Sequence, residues 1–144
     1  MFAESEASQR IAAALAHRVE GIADVSQVAE AITLMFEATN GALTPIIGPK
    51  GVAALHRRSL LLCTSMHPQF AEIVTSLMAA MDLQELKSLL IQQNKADAVF
   101  FSEELLKIFY ELLATLIGRS LAARLLLDVW ENSFSGLPPQ DTSR

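Results

Sequence analysis

Cysteine occurs once in this sequence, at Cys63, so no disulfide closes within the chain and the paired-cysteine motifs of structural zinc sites are excluded. A lone thiol inside SLLLCTSM reads as a small core residue, not a nucleophile. Histidine is nearly as scarce. His17, His56 and His67 fall in three different expected elements, and no two share the i, i+4 spacing of a helical metal site. No metal or cofactor is expected. Long apolar runs are missing too: SLLLC and LLATLIG are bounded by the Arg57-Arg58 pair and by Gly118-Arg119, far short of the roughly 18 residues that span a bilayer. Residues 1–10 carry two glutamates against one arginine, with no basic lead into an apolar stretch, so no secretory signal or membrane partner is expected and a cytoplasmic location is. Positive charge is in the minority. Eleven Lys and Arg face sixteen Asp and Glu, and the net charge of −5 repels polyanions, which disfavours nucleic acid as a partner of the whole surface.

What the sequence has in quantity is apolar side chain: 51% of residues are hydrophobic against 19% charged, a balance that argues against disorder. A chain of 144 residues is long enough to bury a core without a staple. Helical spacing dominates. Ile11, Leu15, Val19 and Ile22 form one stripe, closed by Gly21 and Asp24. Asp24 with Gln27 predicts a capped second helix carrying Val28, Ile32, Met35 and Phe36 as far as Leu43, with a break over residues 44–48 set by Pro45 and Gly48-Pro49. A third helix is expected from Pro49 to Ser65, with Val52, Leu55, Leu62, Cys63 and Met66 inward, and a fourth after Pro68 with Phe70, Ile73, Val74, Leu77, Met78 and Met81. Asp82 with Glu85 caps a fifth. A sixth, from Ala96 or Ser102, carries Phe101, Leu105, Ile108, Phe109, Leu112 and Leu116 until Gly118 interrupts it, and a seventh leads to Trp130. The expectation is one all-α domain over residues 1–136, a compact bundle of about seven helices, with residues 137–144 a flexible polar tail.

One pattern occurs twice. Shifted by seventy residues, Ile46-Ile47-Gly48 falls on Leu116-Ile117-Gly118, Val52-Ala53 on Ala122-Ala123, and Leu55 on Leu125, without a gap. A repeated helix–glycine–helix unit predicts two pseudo-symmetric halves that share a core. Helix starts at Pro49 and Arg119 expose unpaired N–H groups, and Lys50, Arg57, Arg58, Arg119 and Arg124 lie near them, a candidate anion patch against the alternative of solvated surface cations. PIIGPKGVAAL resembles half of a helix-hairpin-helix DNA-backbone motif. That resemblance implies phosphate-backbone contact, but Ile46 and Leu116 stand at the place of the motif's first glycine and Val52 at that of its alanine, so the close backbone approach is lost.

LHRRS sets His56 beside two arginines, which would lower its pKa, and a helix-borne histidine resembles that of histidine phosphotransfer modules, without the lysine and glycine that usually follow. His67-Pro68 reads as a helix start. Glu103-Glu104 reads as the acidic first turn of a helix, where the dipole favours carboxylates without any chemical role. With few long loops to build an active site, no enzyme is expected. The apolar surplus carries the functional expectation. Methionines and aromatics exceed the needs of a thin bundle; adjacent Phe100 and Phe101 point about 100° apart, so one of them turns away from the core. Phe100, Phe101, Met78, Met81 and Trp130 are therefore candidate interface residues of a homodimeric regulatory or adaptor protein that also meets a protein partner of unknown identity. The first alternative is a small-molecule sensor in which the same Met and Phe residues line an internal apolar pocket, with an Arg from one of the glycine turns holding an anionic head group; a sizeable enclosed cavity would favour it, and a filled core with an exposed apolar face would favour the adaptor. The second is a phosphate or nucleic-acid reader at the glycine turns, whose binding would be salt-sensitive and lost on changing Arg57 and Arg58.

Overall fold

The computed structural model describes residues 6–80 and 82–134, and among these every regular element is a helix. In order they are α1 (Glu6–Val19), α2 (Val25–Met66), a 3-10 turn (Pro68–Phe70), α3 (Ala71–Ala80), α4 (Leu83–Ile91), α5 (Lys95–Ile117) and α6 (Arg119–Phe134). Among the described residues there are six α-helices where about seven were expected, because the expected second and third are the two arms of α2, broken only at Gly48. The tail expected over residues 137–144 lies outside the described residues.

Side-chain caps set the starts of α2, α4 and α5. Asp24 accepts the Ser26 N–H at 3.0 Å, Asp82 the Glu85 N–H at 2.8 Å, and Asn94 the Asp97 N–H at 2.8 Å, each relieving a donor that the helix itself leaves unpaired. Asn94 moves the start of α5 to Lys95, earlier than the apolar stripe indicates. The break in α2 is also later than Pro45 suggests: the helix continues through Pro45 to Gly48. Proline removes one N–H, and its would-be acceptor belongs to Gly41, which is exposed and reachable by water.

Gly48 has φ 81° and ψ 161°, and Gly118 has φ 96° and ψ 147°. Both lie in a region that is essentially closed to residues with a Cβ. The match extends backward along the chain. Seventy residues separate the caps Asp24 and Asn94, the first helical residues Val25 and Lys95, the last before the breaks, Ile47 and Ile117, and the glycines themselves. Burial follows the same register, with Val28 and Ala98, Ala31 and Phe101, Met35 and Leu105, Leu43 and Leu113, and Val52 and Ala122 all in the core. The chain is thus built on two helix–glycine–helix units.

Packing between the units is exchanged. α2 and α5 form the centre; α1 precedes α2 in the chain yet lies mainly against α5 and α6, while α4 precedes α5 yet lies mainly against α2. Ile11, Leu15 and Val19 of α1 are buried there, as are Leu86 and Leu90 of α4. An ion pair between Lys87 of α4 and Glu30 of α2 crosses the second contact. Two inward assignments do not hold, Met66 and Leu116 being exposed, whereas Ile22, Leu62, Met78 and Leu112 are half-buried and pack against the core.

A Cβ placed on Gly48 or Gly118 meets no atom within 4 Å, so any cost of adding one comes from the backbone angles and not from crowding. Gly48→Ala and Gly118→Ala are each expected to lower stability by about 1–3 kcal/mol. Gly41→Ala, on an exposed helical turn, should raise it by about 0.5–1 kcal/mol. Urea midpoints of the three variants test this, and a similar response at all three positions would contradict the backbone account.

Candidate functional site

The break at Gly48 sets two arms of α2 around a cavity of about 300 Å³. Phe36, Asn40 and Thr44 line it from the first arm, and Pro49, Val52, Ala53, His56 and Leu60 from the second. Leu77 of α3, Leu83 and Leu86 of α4 and Leu105 of α5 complete an apolar wall, with Asp82 at the start of α4. Asp82 is exposed and already holds the Glu85 N–H.

His56 and Asn40 are the polar centre of this wall. The imidazole Nε2 lies 2.7 Å from Asn40 Oδ1, and the ring stacks on Phe109 with centroids 4.7 Å apart and tilts against Phe36 at 5.9 Å. Burial pushes the pKa of His56 down from 6.5 to about 4, so the ring is neutral at physiological pH. Facing an amide oxygen, Nε2 carries the proton and donates it. Nδ1 is then an acceptor, and the two N–H groups of Asn40 Nδ2 remain for other partners. Thr44 Oγ1 donates to the Asn40 carbonyl at 2.7 Å and so can only accept from an occupant.

The lowered pKa of His56 was expected, but its cause is burial and not the adjacent arginines, both of which are exposed. The ring is half-buried between Phe36 and Phe109, unlike the solvent-presented histidine that phosphotransfer requires. Among the anion-patch residues, Lys50, Arg57, Arg58 and Arg124 are exposed, Arg119 pairs with Glu111 Oε1 at 3.1 Å, and none lines the cavity. Of the interface candidates, Phe101 is fully buried and packs edge-on against Phe70, and Met78 is half-buried. Phe100 is 40% exposed, so the two phenylalanines do diverge. Met81 and the side chain of Trp130 lie outside the described residues.

A second polar cluster joins the end of α2 to α5. Glu104 accepts from His67 Nε2 and Lys107 Nζ, each at 2.9 Å. Burial pushes its carboxyl pKa up, but the hydrogen bonds and charges of Lys107 and His67 together outweigh this and leave it lowered. The pair Glu103-Glu104 sits inside α5, not at a helix start, whereas His67 is at once the C-cap of α2 and the N-cap of the 3-10 turn that Pro68 opens, the start expected there. Cys63 is fully buried, and burial, aided by the Glu104 charge, pushes its thiol up to about 12, which makes it inert as a nucleophile. Among the described residues no group of three or more His, Cys, Asp or Glu could hold a metal ion, and no helix is long and apolar enough to cross a membrane.

Comparison with protein-family models, with curated proteins and with solved structures finds no match to this chain.

Because the folded pKa of His56 lies below its ordinary value, the unfolded chain takes up that proton first as pH falls. The stability it contributes is complete above pH 6.5 and is lost on the way down to about pH 4. The loss should be on the order of 3 kcal/mol. Glu104, whose folded pKa is lowered, is a usual carboxylate when unfolded and responds below about pH 4.5. Urea denaturation between pH 4.5 and 6.5 should therefore show a slope in the wild type that flattens in His56→Gln, which keeps an N–H donor but does not titrate.

Proposed function

We propose that this protein is a small-molecule sensor that binds an apolar ligand between the arms of α2 and α4. One observation carries the reading: the 300 Å³ cavity, apolar around a single hydrogen-bonded His56–Asn40 pair. That volume and that mixture of walls suit a ligand site between helices. Among the described members of the methionine and aromatic surplus that favoured an adaptor, Met35, Phe36, Phe70, Phe101 and Phe109 are in the core, while Met66 and Phe100 are exposed and Met78 is half-buried. The cavity also offers a route from binding to conformation. Its lining comes from both sides of Gly48, so an occupant touches both arms of α2 at once and favours whichever arm geometry fits it best.

The adaptor and homodimer reading keeps one observation in its favour. A shallow groove between α1 and α5, lined by Ala13, Ala16, Val99 and the exposed Phe100, could take an apolar helix. A monomeric mass at all concentrations in sedimentation equilibrium would remove the homodimer.

Naphthalene serves as a probe for the cavity. Its addition should shift the methyl resonances of Val52, Leu60 and Leu86 in a saturable manner, and Ala53→Phe and Asn40→Tyr should each abolish those shifts while preserving the helical circular-dichroism spectrum. Shifts scattered over the exposed Leu34, Leu61 and Ile91, with the cavity methyls unmoved, would rule out the site.

A further inference from the structure

Resting on the cavity reading above, we infer that the preferred ligand is an uncharged, bicyclic-sized apolar molecule bearing one hydroxyl group, held at the His56–Asn40 pair. Size comes first. A dry cavity of about 150 Å³ accommodates benzene, and this one, at about 300 Å³, has room for roughly two fused rings.

Charge comes second. Among the described residues no lysine or arginine lines the cavity, and the ionisable groups that do are His56 and Asp82. His56 carries no charge at neutral pH, because burial disfavours the imidazolium. An acid placed here would bury a carboxylate without a cation and near the Asp82 carboxylate, an expensive arrangement in an apolar site. An amine could reach Asp82 only at the exposed edge of the cavity, where that carboxylate is already engaged in capping α4. A neutral ligand is the one that all the walls accept.

Polarity comes third. Asn40 Oδ1 is used by His56, and the donors of Asn40 Nδ2 and the acceptor oxygen of Thr44 are both on residues that line the cavity. A hydroxyl both donates and accepts, so one such group can serve both sides, while a plain hydrocarbon leaves the amide of Asn40 unanswered. The other half of the chain supplies the contrast. The positions seventy residues on from Asn40 and His56 are Tyr110 and Leu126, both buried in the core, so the polar pair belongs to the half that has the cavity.

Three bicyclic probes of one shape separate these arguments: naphthalene, 2-naphthol, which is uncharged at neutral pH, and 2-naphthoate. Titration calorimetry of the full chain at pH 7 should rank 2-naphthol tightest, about threefold to tenfold ahead of naphthalene. The carboxylate should be weaker than 2-naphthol by about a hundredfold or more. In His56→Leu the advantage of 2-naphthol over naphthalene should vanish or reverse while naphthalene still binds, and Asn40→Leu gives the same readout should the first variant fold poorly. Equal affinity for naphthalene and 2-naphthol, or tight binding of 2-naphthoate, overturns the inference and leaves the cavity reading standing. Failure of all three probes to bind overturns the cavity reading itself.

Discussion

A backbone turn that only glycine adopts comfortably lies between the two arms of α2, and the cavity exists because of it. Were φ at Gly48 helical in place of 81°, the apolar face that carries Phe36 and Asn40 would continue as one cylinder into Val52 and His56. A straight helix presents a convex surface, and side chains sixteen residues apart on it are separated by about 24 Å along the axis. The break instead brings Asn40 and His56 to hydrogen-bonding distance, 2.7 Å, across that span of sequence. α4 then needs only to lie against both arms, which Leu83 and Leu86 do from one face, and a cavity bordered by the exposed Thr44, Pro49 and Asp82 results.

The same turn occurs at Gly118 with a different outcome, which separates architecture from site. Both units use a capped helix of equal length, a glycine in the same conformational region and a second helix with small residues near its start. Around the second unit, α1 plays the part that α4 plays around the first, and each of these helices lies chiefly against the unit it does not directly precede. Exchange of this kind ties the two halves together, because neither unit can bury its central helix with its own preceding helix alone. What differs is the filling. Tyr110 and Leu126 are core residues in one half, and their counterparts in the other, Asn40 and His56, leave room and bring hydrogen-bonding groups into it.

Much of this frame was legible in the residues. Ile11, Leu15 and Val19 share one helical face and are buried; Asp24 and Asp82 start their helices; Gly48 and Gly118 interrupt theirs. Periodicity reports which face of a helix is covered, but not by what, so the crossing of α1 to α5 had no trace in the stripe that Ile11 begins. Local signals also yielded to longer-range ones. Pro45 looked like a terminus, yet the helix around it is long and its orphaned acceptor is solvent-exposed, so one lost hydrogen bond was tolerated. Glu103-Glu104 looked like a first turn because Asn94, several residues earlier, was not recognised as the cap. The site itself was least legible. His56 stands out in the sequence for its neighbours Arg57 and Arg58, whereas the residue that matters to its ring is Asn40; the visible signal was a polar Asn where the repeat places a Tyr.

The two polar clusters inside the bundle show how burial and function part company. Glu104 keeps its charge in a half-apolar setting because two cationic or donor side chains hold it, at 2.9 Å each, and together they link the end of α2 to α5. That arrangement is closed: its groups are occupied by one another, and the aromatic rings of Phe70 and Phe100 flank His67. His56 meets burial in the opposite way, by giving up its charge, and a neutral imidazole needs far less from its surroundings than an imidazolium does. Its bond to Asn40 satisfies one nitrogen and one oxygen and no more, so the amide donors remain to be answered at an apolar wall. An apolar core position gains nothing from such a pair, as Leu126 and Tyr110 demonstrate at the equivalent places. The neutral hydrogen-bonded pair is therefore what distinguishes the half of the chain that has the cavity from the half that is filled.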